Sequence, residues 1–380
     1  MAGATPPGSP RSPSRRAFLG GLAGLVAGGA RRAAATPAGE WTALYRQTAA
    51  EAALCPWQEH AGSAYDSRRH RLVVFGSDTH GTDWTNSPLF LDLDRPAWRR
   101  AHPDDAHATY RADMAGDAVA GDGHPWAMHT FGAVEYDPDG DRLIVASHPD
   151  HLSPGRFTDA MAGPWRHVRR HPTWTYEFGG GGWRRLPGNA VSCFAHATVL
   201  DTDRNRVVGI TGTGVHELWP DPRNPLGPWR RVAAPGPLSW GLNAAYDSRH
   251  RAVVMFGDHR RRDTVAVYRI GGVRVETMPT LGRRPPGDRY VPLAFHPRLG
   301  VTVALVQVFP DGDFQAPAAR RRMETWLYDL GRDAWERLPR ATLPFGWYMN
   351  YHLHYMARQD RLVLLARPPG GPVTLYTLEI

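Results

Sequence analysis

Six segments of the chain repeat one pattern of apolar and polar positions. An apolar run gives way to a tight polar turn and a second apolar run follows; an aromatic-rich run and a run led by Trp complete the unit. The polar turns fall at 65–70, 136–141, 200–205, 246–250, 295–298 and 355–360. The second apolar runs fall at 72–76, 143–145, 207–210, 253–257, 301–306 and 362–365. Runs this short and this continuously apolar predict strands covered on both faces. The third and fourth runs are clearest at 325–330 followed by Trp335, and recur at 89–93 with Trp98, at 174–178 with Trp183, and at Trp229.

The repeats start 46 to 71 residues apart, which accommodates four strands each. The fold expected is all-β: a single β-propeller of six four-stranded blades, or seven if 103–128 holds a degenerate one. The last repeat ends after its third strand at 373–376, and Trp41-Thr42-Ala43-Leu44-Tyr45 offers the missing fourth. Pairing the two would close the ring and remove an exposed sheet edge. With its Tyr- and Trp-bearing strands, the stretch 36–380 resembles the kelch-type β-propeller, as in the central domain of galactose oxidase. It departs from that family in mostly lacking paired glycines after the second strand.

Composition narrows the chemistry. Hydrophobic residues at 42% and charged residues at 22% of 380 exclude wholesale disorder, and 40 Gly with 34 Pro suit many short strands joined by turns. All 45 basic residues are Arg, so neither a Lys Schiff base nor a P-loop Lys is available. Two Cys exclude a disulfide scaffold and an all-Cys zinc site. Ser14-Arg15-Arg16-Ala17-Phe18-Leu19 resembles the twin-arginine export motif; an apolar run at 19–29 and Ala33-Ala34-Ala35 follow. Residues 1–35 are therefore expected to be a signal peptide, the protein to be periplasmic or extracellular, and no permanent membrane anchor to remain. Removing those residues removes five Arg and no acid, so the formal charge drops from +8 to +3. A nucleic-acid partner loses its electrostatic basis.

Strand direction locates the functional face. Fourth-to-first and second-to-third loops share one end of a propeller, and first-to-second turns share the other. The long insertions, roughly 101–128, 148–172 and 308–323, all belong to the first kind of loop, where binding residues are expected. Positions at the start of a first strand or the end of a second carry an unusual density of His. The candidates for catalysis are His60, His80, His129, His148, Tyr351 and Arg367. Those for substrate binding are Tyr290, His196, Arg260, His259, Trp240 and Asn350.

The pairs His60/His80, His129/His148 and Tyr351/Arg367 resemble in type and spacing the residues of propeller polysaccharide lyases of the ulvan-lyase kind. That resemblance implies β-elimination on a uronic-acid polymer, with Arg on the carboxylate and His or Tyr as base and acid. The expected partner is an acidic polysaccharide or oligosaccharide, and the expected state a monomer. Three alternatives stand beside it. A non-catalytic propeller would bind carbohydrate or protein on the same face. Zn or Cu on the central His cluster would make a metal centre, and Tyr351-His352 resembles the Tyr-His pair of copper radical oxidases. Arg260 and Arg367 also resemble part of a sialidase arginine set, although no acidic partner accompanies them.

Overall fold

Every first-to-second turn solves the same backbone problem. In four of them an Asp carboxylate caps the turn: Asp66 accepts from the N–H groups of Arg68 and Arg69, and Asp137 from those of Asp139 and Gly140. Asp201 accepts from Asp203 and Arg204, and Asp247 from His250. This is the side-chain mimicry of a backbone turn at which Asp excels. The residue just before each second strand is left-handed: His70 (φ 52°), Asp141 (50°), Asn205 (46°), Arg251 (50°), Gly300 (68°) and Asp360 (51°). The repeated polar turn in the sequence is thus a repeated backbone conformation.

A computed structural model describes residues 39–79, 84–149, 163–188, 190–219, 228–313, 315–346 and 352–380. The expected signal segment at 1–35 lies outside them. Six four-stranded antiparallel sheets are arranged as the blades of a β-propeller. Blade one pairs Gly62–Asp66, Arg71–Phe75, Leu89–Asp92 and Trp98–Arg100 in order. Blade two pairs Val134–Asp137, Arg142–Val145, Trp174–Glu177 and Gly182–Arg185; blade three pairs Ala197–Asp201, Arg206–Thr211, Gly214–Leu218 and Trp229–Ala233. Blade four has Ala244–Asp247, Ala252–Phe256, Val265–Arg269 and Glu276–Thr277, and blade five has Leu293–His296, Val301–Val308, Arg322–Asp329 and Ala334–Leu343.

Blade six is completed from both ends of the chain. To His352–Met356, Arg361–Ala366 and Thr374–Leu378 it adds Thr42–Arg46, antiparallel, with Thr42 opposite Thr377 and Arg46 opposite Thr374. The ring closes as the sequence leads one to expect. The region 103–128 is no seventh blade: its strands form one two-stranded ribbon, Arg111–Ala112 with Ala118–Val119, packed beside Trp84, Tyr110 and Trp126. The insertion expected at 308–323 is shorter, because the flanking strands of blade five run on to Val308 and begin again at Arg322. No described helix is long and apolar enough to cross a membrane.

The core lies between blades, where second strands such as Arg71–Phe75 and Ala252–Phe256 are buried along their whole length. The six innermost strands surround an axial channel of about 480 Å³. Phe131 of blade two and Tyr290 of blade five stack at 5.0 Å and 18°. Their blades are three apart in a ring of six, so the pair spans the axis and closes the channel on the insertion-bearing face. Both residues are left-handed (φ 45° and 55°), a strained state for bulky side chains that the surrounding structure has to enforce.

The turn carboxylates support buried charge. Asp66 is fully buried and receives Arg71 Nε at 2.8 Å; Arg71 in turn lies over Phe90. Asp66→Ala would strand a buried guanidinium, so urea denaturation should show a loss of about 3 to 5 kcal/mol. Asp139→Ala, at an exposed position of the neighbouring turn, should stay within about 0.5 kcal/mol of the parent protein.

Candidate functional site

One meeting of titratable side chains on the insertion-bearing face joins blades one and two. His60 lies just before the innermost strand of blade one, and Asp78 just after that blade's second strand. His129 approaches on the segment leading into blade two. That segment is held against blade one through its backbone, with Thr130 N and Phe131 N both donating to His60 O. Gly62 permits the approach, since a Cβ there would sit 2.0 Å from Phe131 O. The outcome is a parallel stack: the His60 and His129 rings lie 3.9 Å apart at 10°.

His60 Nδ1 is 3.3 Å from Asp78 Oδ1, an ion-pair distance longer than a good hydrogen bond. Thr79 Oγ1 lies 3.5 Å from His129 Nε2. Phe131 meets both rings edge-on, at 5.5 and 5.6 Å. Relative exposure is 5% at His60 and 2% at His129, whereas the Asp78 side chain is about a quarter exposed (26%). Burial raises the Glu59 carboxyl above its ordinary range; Asp78 adds to the rise and Arg367 opposes it. Glu59, Asp78 and the exposed Arg367 are therefore electrostatic neighbours beside His60.

A metal ion does not fit this pair as it stands. Nitrogen donors of His60 and His129 and an oxygen of Asp78 do lie within 4.8 Å of one another. Imidazole lone pairs, however, lie in the ring planes, and two nearly parallel planes do not converge on a point about 2.0–2.1 Å from both rings. The arrangement suits proton exchange better: a carboxylate beside Nδ1 favours the proton there and makes Nε2 the basic atom.

A second group sits between blades four and five. Trp240 is 41% exposed and stacks on His259 at 3.9 Å and 18°. The Arg289 guanidinium lies 5.2 Å from the Trp240 ring, and its Nη1 is 3.1 Å from His259 Nδ1. Arg donates, so His259 Nδ1 accepts. Asp258 shapes the adjoining turn by accepting from the N–H groups of Arg260 and Arg261, leaving the Arg260 side chain exposed.

The remaining candidates scatter. Tyr290 is buried in the axial plug, and burial pushes its phenol up to about 12, so it is a poor base at neutral pH. His196 Nδ1 is 2.9 Å from Phe194 O; burial lowers this imidazole's pKa, and its ring faces a separate cavity of about 530 Å³ shared with His216. His148 stacks on His171 at 5.1 Å in another cavity of about 470 Å³ with Asp117, Arg170 and Arg185. His80, Asn350 and Tyr351 lie outside the described residues. Cys55 and Cys193 are buried free thiols in different clusters.

Asp78, Glu59, Arg289 and Phe131 were not among the residues expected from the sequence. A signal for the first existed: Phe75-Gly76-Ser77-Asp78 and Phe256-Gly257-Asp258-His259 align by repeat, each placing an acid just beyond a second strand. Fold and site together define a six-bladed β-propeller with a His–Asp–His cluster on its insertion-bearing face. A scan against protein-family models gives no match, and a search of curated proteins gives none either.

Blade six adds two more imidazoles. Burial lowers His352, edge-on to Trp57, to about 3, and lowers His354, whose Nε2 is 2.7 Å from Ser63 Oγ, to about 4. In the unfolded chain both titrate near ~6.5. Between that value and about 4 the unfolded chain binds protons that the folded one refuses, so stability falls as pH falls through this window. The urea midpoint should drop from pH 7 to pH 4, and His354→Gln should flatten the drop. Equal slopes in the two proteins would contradict this assignment.

Proposed function

We propose that this propeller is exported and acts on an acidic, uronic-acid-containing polysaccharide by β-elimination on its insertion-bearing face. The observation that carries the reading is the His60–His129 stack with Asp78 at 3.3 Å and Arg367 in electrostatic reach of the adjacent Glu59. Arg367 would neutralise the sugar carboxylate and so acidify the adjacent C–H. His60, poised by Asp78, would take that proton as the C–O bond to the leaving sugar breaks. His129 would return a proton to the departing oxygen, leaving an unsaturated uronate. Trp240 would offer a face to a sugar ring, with Arg289 and Arg260 at hand for further carboxylates. The kelch-like Tyr and Trp strands and the lyase-like sequence pairs His60/His80, His129/His148 and Tyr351/Arg367 support the same reading.

A second reading is favoured by one observation. His60 and His129 are almost wholly buried while Trp240 is open, which suits a propeller that binds the polymer without cutting it. Ultraviolet absorbance of unsaturated products across a panel of uronic-acid polymers separates the two. His60→Ala and His129→Ala should each slow cleavage by about 10²- to 10⁴-fold with glycan binding retained. If no polymer is cleaved and Trp240→Ala abolishes glycan binding, the binding-module reading holds instead. Export is testable independently: replacing Arg15 and Arg16 with Lys should leave the unprocessed chain in the cytoplasm.

A further inference from the structure

The axial channel is chemically unlike the insertion-bearing face. It is blocked there by the Phe131–Tyr290 stack, while its lining reaches Ser67, Thr202, Ser248 and Ala357 of the first-to-second turns. It therefore opens on the turn face. Its walls are built of small and apolar residues, among them Ala64, Ala197, Ala245 and Ala294. Among the described lining residues Glu135 is the only carboxylate, and none is Arg. Glu135 reaches from blade two to blade three, accepting from Thr198 Oγ1 at 3.2 Å and from the Leu200 N–H.

We propose that this channel is a binding site for a small organic cation, an alkylammonium that enters from the turn face and rests its charged head against Glu135. The volume of about 480 Å³ lies within the range of small-molecule sites, and the pattern of an apolar wall with a few polar groups is the usual one. A carboxylate enclosed without a counter-cation is costly; burial raises Glu135 to about 8, and a bound ammonium would restore its ionised form. A hard divalent ion is a poorer match, because it demands six or more oxygen ligands and this wall supplies one carboxylate amid apolar surface. Aromatic side chains, Tyr65, Tyr136, Tyr246, Phe295 and Tyr355, line the outer end of the channel at five of the six blades, an environment that tolerates a passing cation. His354 with Ser63 provides a second polar pair on the wall, available to a ligand carrying a hydroxyl or second amine.

The inference concerns the opposite face from the proposed polysaccharide site and stands without it. Calorimetric titration of the protein with n-butylammonium and tetramethylammonium chloride, against sodium butanoate and calcium chloride, tests it. The ammonium probes should bind at least about tenfold more tightly than butanoate or calcium. Glu135→Gln, which keeps the shape and an acceptor for Thr198, should weaken them about tenfold or more. Ala357→Trp, at an exposed position on the rim, should obstruct the channel with little risk to folding, whereas Glu336→Gln, exposed on the outer strand of blade five, should leave ammonium binding unchanged. Failure of both ammonium probes to bind, undiminished binding in Glu135→Gln and Ala357→Trp, or preference for calcium would overturn the proposal.

Discussion

The geometry of the insertion-bearing face depends on a collar of polar contacts at the other end of the molecule. Arg69 of blade one grips Asp141 of blade two through two hydrogen bonds of 2.6 Å, and that contact is the main cause holding the Asp141 carboxyl down to about 2. Asn205 of blade three donates to Asp137 of blade two, and Tyr246 of blade four to Asp203 of blade three. Arg249 packs on Gly300 between blades four and five, Arg298 pairs with Asp360 between five and six, and Arg358 returns to Arg68 O in blade one. The partly exposed members of this set are individually weak. Their effect is cumulative and geometric: each fixes the angle between neighbouring blades, and stacked side chains at the far end inherit that angle.

Rigidity at one face permits irregularity at the other. The insertion-bearing end carries the two-stranded ribbon, the long connections and the left-handed Phe131 and Tyr290, none of which could be positioned by local sequence alone. Backbone hydrogen bonds between successive blades, such as Gly241 N to Ala195 O and Tyr290 N to Gly241 O, carry the ring across this side. Strain is tolerated where such contacts over-determine the conformation.

The repeat was legible because it is local. Turn carboxylates, β-strand runs and Trp positions are all set within a few residues of one another, and the missing strand of the last blade showed as a simple deficit. The site was legible only in part. That His60 and His129 belong to one face follows from strand direction; that their rings lie parallel depends on Thr130, Phe131 and Gly62 meeting across a blade boundary. Spacing within a blade suggested pairing His129 with His148, whereas the fold sends His148 to a cavity with His171. Asp78 and Arg289 are not marked in the His pattern, because the groups that orient an imidazole come from other segments and share no spacing with it. The axial stack of Phe131 on Tyr290 joins residues from opposite sides of the ring and leaves no trace in any sequence window.

Blade six unites Thr42–Arg46 with Thr374–Leu378, strands separated by nearly the whole chain. On a ribosome the first of these emerges early and has no partner until residue 378 has been made. The final sheet therefore cannot form before residues 374–378 have been made. A chain that stops short of residue 374 keeps its N-terminal strand unpaired and its ring open.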